Sequence, residues 1–242
     1  MQKLRGRLYL QDGAIEREDL TRDGRHSQSV DEDSWHLLTL DPQGRVSGCA
    51  RYRQHENPVT FRRLGIVDSA LAQCDRWGRK LRNAVENEIS SARKRDLNYA
   101  EVGGWALAHE LRCTTEALRS ALGTYALAQL LGGSLGISTV TVRNHSSSIL
   151  RRIGGRSLEV EGHELPDYYD PKYKCQMEML RFDSGAPNSK YRNWIDEIRS
   201  HLLTVPVICR HRGSSVWSGL SAAAAGMPAP AFVNGLTVSA VA

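Results

Sequence analysis

Glu101 interrupts an apolar run, Tyr99-Ala-Glu-Val-Gly-Gly-Trp-Ala-Leu107, that reads as a buried strand over 100–107. A buried charge without a partner is costly, so the carboxylate needs either an ion pair or a chemical task. Arg51 and Arg5 are the candidate ion-pair partners. Apolar neighbours should raise the Glu101 pKa, which suits a proton acceptor working near neutral pH. Gly103 and Gly104 would let a substrate come close to the backbone. The two readings merge if Arg51 orients Glu101 or holds a substrate carboxylate in its planar fork.

The second chemical feature is the turn 108–116, between that strand and a helix expected over 116–131. Backbone N–H groups at such a turn can bind phosphate without a glycine signature. Arg112 and Arg119 could add charge, and Thr114 or Thr115 is a plausible N-cap. Gly132-Gly133-Ser-Leu-Gly136 follows a helix and precedes a strand, so it reads as a helix stop and not as a phosphate loop. Eight histidines give no metal-ligand spacing, and Cys209-Arg-His211 lies where the fold is expected to end. No Gly-x-Ser-x-Gly nucleophile elbow is present.

These residues must be positioned by the elements around them. Residues 1–20 are compatible with a short amphipathic helix, and 21–34 with a polar loop. Trp35–Leu40 and Arg45–Arg53 read as a hairpin around Asp41-Pro42-Gln43-Gly44. From Val67 to Ile89, apolar positions at three and four residues predict one long helix, bent at Gly78, whose opposite face is rich in Arg, Lys and Glu. Ile137–Val142 reads as a strand, and Asn144 or Ser146 can cap the helix after it. Residues 156–161 and 175–182 read as strands, and a terminal helix is expected at about 188–204. This alternation predicts one α/β domain over 1–209, with a core at 35–183 and helices on both sheet faces. Residues 210–242, rich in Ser, Gly and Ala, read as a disordered tail.

The totals bound the partners. In 242 residues, 40% are hydrophobic and 24% charged, an ordinary globular balance. No apolar run reaches the roughly 18 residues of a membrane span, and the start has no signal-peptide core. Five scattered cysteines read as reduced thiols, which fits a cytoplasmic location. The net charge of +5 fits an anionic partner or a mildly basic surface. No helix-turn-helix, zinc or aromatic-basic signature supports nucleic-acid binding.

Four places together resemble the Gcn5-related N-acyltransferase superfamily, over roughly residues 4–183. They are Arg5-x-x-x-Tyr9, the acidic loop Ser29-Val-Asp31-Glu-Asp33 running into a strand, Gly48-Cys-Ala-Arg51, and Ala100-Glu101-Val102. The chain is similar, more narrowly, to the branch of acyl-homoserine lactone synthases and long-chain N-acyl amino acid synthases. The resemblance implies a mixed central sheet flanked by helices. It also implies transfer of a long-chain fatty acyl group from acyl-ACP or acyl-CoA to the amine of an amino acid or similar small molecule. Glu101 would be the base, with an oxyanion site at a backbone N–H around Trp105. Arg51, Gly103, Gly104, Arg5 and Asp33 would bind the acceptor. Arg112, Thr114, Thr115, Arg119 and Asn144 would hold the donor's phosphopantetheine arm. No metal is implied, and acyl carrier protein is the implied macromolecular partner. Gly103-Gly104 stands where the lactone synthases carry Ser-Arg, which speaks against S-adenosylmethionine as acceptor. The alternatives are a non-catalytic domain that binds an acyl group or carrier, and a lactone synthase.

Overall fold

The computed structural model describes residues 1–208 and 238–241. Helix α1 (Gln2–Gln11) and a polar loop lead into the expected hairpin, β1 (Trp35–Leu40) and β2 (Val46–His55). Next come α2 (Gly78–Lys94), β3 (Asn98–Leu107), α3 (Glu116–Leu130), β4 (Ser134–Thr141) and α4 (Ser146–Ile153). The short strands β5 (Arg156–Ser157), β6 (Glu159–Val160), β7 (His163–Glu164) and β8 (Tyr168–Asp170) precede β9 (Cys175–Asp183). Then α5 (Arg192–Leu202), β10 (Val207–Ile208) and β11 (Val238–Val241) complete the described chain.

The main sheet runs β10-β11-β1-β2-β3-β4-β9-β5, with β8 also on β9. At its centre β3 and β4 are parallel, joined through α3, while β2–β3 and β4–β9 are antiparallel. The pleat divides the core between the two faces. Tyr99 packs with Val85 and Ile89 of α2, and its neighbour Ala100 packs with Leu122 and Ala126 of α3 and Ile195 of α5. Helix α1 seats Leu4 and Leu8 on Leu38, Cys49 and Ala106. The result is a mixed sheet with helices on both faces, as expected. Gly132 and Gly133 take φ of +94° and +85° and end α3, as a helix stop requires. Among the described residues, no helix is long and apolar enough to cross a membrane.

Two expectations change. The helix expected from Val67 begins only at Gly78, and Phe61–Arg63 and Gly65–Asp68 form single tight turns. The apolar spacing misled because Leu71, in the turns, and Leu81, in α2, enter the same core. The expected tail falls mostly outside the described residues, as do Cys209 and His211. Where it is described, Val238–Val241 pairs antiparallel with β1 and parallel with β10, covering an edge that β1 would otherwise expose.

Gly78 gives a test with opposite signs. Propensity alone favours alanine near a helix start by up to about 1 kcal/mol. Yet a Cβ at Gly78 would meet the Ala72 carbonyl oxygen at 2.2 Å. Gly78→Ala should therefore destabilise, by roughly 1–3 kcal/mol in urea unfolding, because backbone must move to admit the methyl. A gain in stability would show that the chain does not double back there.

Candidate active site at the parting of two parallel strands

The pairing of β3 with β4 runs from Asn98↔Ser134 to Glu101↔Ile137 and stops there. Both strands continue, each still paired with its outer neighbour: Gly103 lies opposite Arg51 and Thr141 opposite Met177. The central sheet therefore opens a gap beyond Glu101. A bulge in β3 falls at the same place, where Gly104 takes φ of +60°. Such a bulge bends and twists its strand.

Glu101 stands at the head of the gap. His55 Nε2 lies 2.9 Å from its Oε2, and Arg53 Nη1 3.6 Å from the same oxygen. The backbone N–H of Ile66 donates to Oε1 at 3.1 Å. The tight turns at 61–68 thus spend a backbone amide on this carboxylate. Burial alone would raise its pKa. The His55 hydrogen bond, the Gly65 and Ile66 amides and the His55 charge outweigh burial, so the pKa lies below the usual glutamate value. Two expectations are corrected: the pKa is lowered, not raised, and the partners are His55 and Arg53, not Arg51 or Arg5.

Arg51 and Arg5 converge instead on Asp31. Arg5, fully buried, donates from Nη1 to Asp31 Oδ1 at 3.0 Å and from Nη2 to Oδ2 at 2.5 Å. Arg51 Nη1 donates to the same Oδ1 at 3.0 Å and to Gln28 Oε1 at 2.5 Å. The Gln28 backbone N–H and Gln2 Nε2 complete the shell, each at 3.1 Å from Oδ2. Burial opposes ionisation of Asp31, but the Arg5 hydrogen bond and charge dominate, with the Gln28 amide and Gln2 adding to them. The carboxyl is held well below its usual range. The acid that holds these arginines is therefore Asp31, which is buried, while Asp33, the expected one, is exposed. Gly104 makes room for this cluster: a Cβ there would lie 3.1 Å from Arg51 Cβ and 3.2 Å from Arg5 Nη1. A Cβ at Gly103 would meet only Arg51 Nη2, at 3.7 Å. Tyr9, one helical turn after Arg5, donates its hydroxyl to the Trp105 carbonyl at 3.2 Å.

The residues expected at the donor arm lie around the start of α3. Thr114 Oγ1 accepts from the Glu116 N–H at 3.1 Å and caps the helix; Thr115 is exposed and makes no cap bond. Arg112 is drawn to Asp12 at 2.9 Å, and Arg119 lies between Glu116 at 3.9 Å and Glu197 at 3.7 Å. Asn144 is in the turn Arg143–His145, and its side chain is outside the described residues.

Two cavities meet at the gap. On the α1/α2 face lies a polar cleft of about 920 Å³, bordered by Glu101, Arg51, Arg53, Gln28 and Tyr173 among others. On the α3 face lies a narrow apolar pocket of about 40 Å³, walled by Ala50, Ala121, Tyr125, Leu150 and Phe182. Val102, Gly103 and Trp105 border both. The buried indole N–H of Trp105 has no partner among the described residues. His55 and Arg53 were legible in principle, since alternation in Arg51-Tyr-Arg53-Gln-His55 puts three basic residues on one strand face. The Ile66 amide leaves no sequence signal.

No protein-family model matches the chain, and no curated protein matches it in sequence. Solved structures do match. BjaI, a CoA-dependent acyl-homoserine lactone synthase solved with SAM and isopentyl-CoA, has a TM-score of 0.52 at 16% identity, over 81% of this chain and 79% of that one. FeeM, an N-acyl amino acid synthase from uncultured soil microbes, gives 0.49 at 10% identity, over 79% of this chain and 91% of that one. The chain thus shares the fold of BjaI, the mixed α/β fold its sequence led one to expect.

The Asp31 cluster predicts the response to acid. Because the folded pKa lies below the unfolded one, its stabilisation is complete above the unfolded value of about 3.9 and is lost as pH falls through the carboxylate range. Asp31→Asn leaves Arg5 buried without its counter-charge and should cost roughly 3–5 kcal/mol at pH 7. Its stability should also fall less steeply on acidification than that of the parent. Chemical denaturation between pH 3 and 7 checks both; equal slopes would remove Asp31 from the account.

Proposed function

We propose that the chain is an N-acyltransferase that moves an acyl group from a CoA or acyl-carrier-protein thioester to the amine of an amino acid or similar small molecule. The observation that carries this reading is the parting of β3 and β4, where an apolar pocket and a polar cleft share one boundary. The apolar side, at about 40 Å³, has room for a short apolar segment such as the start of an acyl chain, and a charged acceptor fits the polar side, so the thioester carbonyl lies between Val102, Gly103 and Trp105. The resemblance in sequence and the fold shared with a CoA-dependent synthase support a thioester donor. The N–H groups opening α3, beside Thr114, Thr115, Arg112 and Arg119, are the proposed seat of the donor's phosphate end, and Asn144, in the turn Arg143–His145, completes the proposed set.

The chemistry follows from the charges. Glu101, ionised at neutral pH, draws in the acceptor's ammonium group. It takes the first proton from the ammonium and, with its low pKa, passes it to water, which frees the nitrogen lone pair to attack the thioester carbon. The C–N bond forms, the C–S bond breaks, and the second amine proton goes to the departing thiolate, which leaves as a thiol. As charge builds on the carbonyl oxygen, the Trp105 indole N–H, without a partner among the described residues, would donate to it, alongside the backbone of the same strand. His55 holds the Glu101 carboxylate in position.

Incubation with acyl-CoA and acyl-ACP of varied chain length plus the amino acids should yield an N-acyl product by mass spectrometry, with matching thiol release. Glu101→Gln should retain the fold and lower turnover by roughly 100-fold or more. No product across the panel, with acyl-carrier binding retained, would make the domain a binding module. Full turnover in Glu101→Gln would place that residue in the structure alone.

A further inference from the structure

Arg51 and Arg53 both border the polar cleft, but only one is held by side-chain hydrogen bonds. Arg51 is tied through Nη1 to Gln28 and Asp31. The Arg53 guanidinium makes no hydrogen bond among the described residues; its charged partner is Glu101, at 3.6 Å. The two face each other as direct cross-strand partners, Arg53 on β2 and Glu101 on β3. Glu101 Oε2 keeps a lone pair after the His55 contact, since a carboxylate oxygen accepts two hydrogen bonds. The cleft therefore presents a guanidinium fork and a carboxylate side by side, each with bonding capacity left.

An α-amino acid carries the complementary pair, an ammonium and a carboxylate on one carbon. We propose that Arg53 is the specificity-determining residue for the acceptor, binding its α-carboxylate while Glu101 binds the amine. The inference rests on the acyl-acceptor reading of the cleft and narrows it: acceptors are free α-amino acids, and simple amines, amino acid amides and esters are poor. The fork suits a planar carboxylate by two parallel N–H···O bonds, which a lysine ammonium does not reproduce. The same bonds fix the amine toward the gap, so Arg53 sets position as well as affinity.

Binding separates this proposal from the failure of the acyl-transfer reading. Calorimetry with the full chain would use each free amino acid beside its amide and methyl ester, without any acyl donor. The best free amino acid should bind roughly 10- to 100-fold more tightly than its amide, as expected for a charge-assisted pair. Arg53→Gln should abolish that preference by weakening the free acid alone, and Arg53→Lys should restore only part of it. If turnover is observed, Arg53→Gln should raise KM for the free acid far more than it lowers kcat. Equal binding of acid and amide by the parent overturns the proposal, as does equal weakening of both by Arg53→Gln. Absence of acyl transfer with the binding preference intact overturns the enzyme reading and leaves the amino acid site standing.

Discussion

Everything at this site depends on two parallel strands that stop sharing hydrogen bonds halfway along. A central pair in a sheet ordinarily continues as far as both strands do, because unpaired buried amides are costly. Here β3 keeps β2 and β4 keeps β9, so the sheet stays continuous outside the gap while opening within it. The bulge at Gly104 bends β3 at the point of parting. The opening joins two environments that a closed sheet would separate, an apolar pocket under α3 and a charged cleft under α1 and α2. Acyl transfer to a zwitterion needs that combination, because one substrate is apolar and the other is charged.

The charges around the gap are arranged so that none is idle. Asp31 binds two arginines and fastens α1, the polar loop and β2 into one wall. That commitment takes Arg5 and much of Arg51 out of substrate binding and makes them structural. Arg53 and Glu101 remain, one strand pair further along, with partners too few to satisfy them. Glu101 is acidified by His55 and by amides of the 61–68 turns, so it is an anion at neutral pH, and in the proposed reaction it is a base only in passing. The distinction matters for pH: a carboxylate with a raised pKa would lose activity below neutrality, whereas this one stays ionised well into the acid range.

Much of this was legible in the residues. The buried Glu101, the hairpin, the strand-helix-strand unit and the double-glycine helix stop all follow from local pattern. The resemblance carried by Arg5, Tyr9, Arg51 and Glu101 pointed to the right fold. What escaped was long-range. Nothing local says that Arg5 lies on Asp31 and not on Glu101, since both acids are far from it along the chain. Asp31 and Asp33 share one short loop, and only tertiary packing turns the first inward and the second to solvent. The segment before Gly78 keeps helical spacing while folding back on itself, because side chains from a turn and from a helix can fill the same core. Strand Val238–Val241 was hidden by a composition that reads as disorder.

The most direct test of the central claim is a structure with a non-transferable acyl-CoA thioether bound. The account predicts that the acyl chain passes between Val102–Gly103 and β4 into the pocket walled by Ala121, Tyr125 and Phe182, with the sulfur at the gap and the carbonyl-equivalent carbon beside Trp105. An acyl chain lying wholly in the polar cleft, with the gap between β3 and β4 empty, would contradict it.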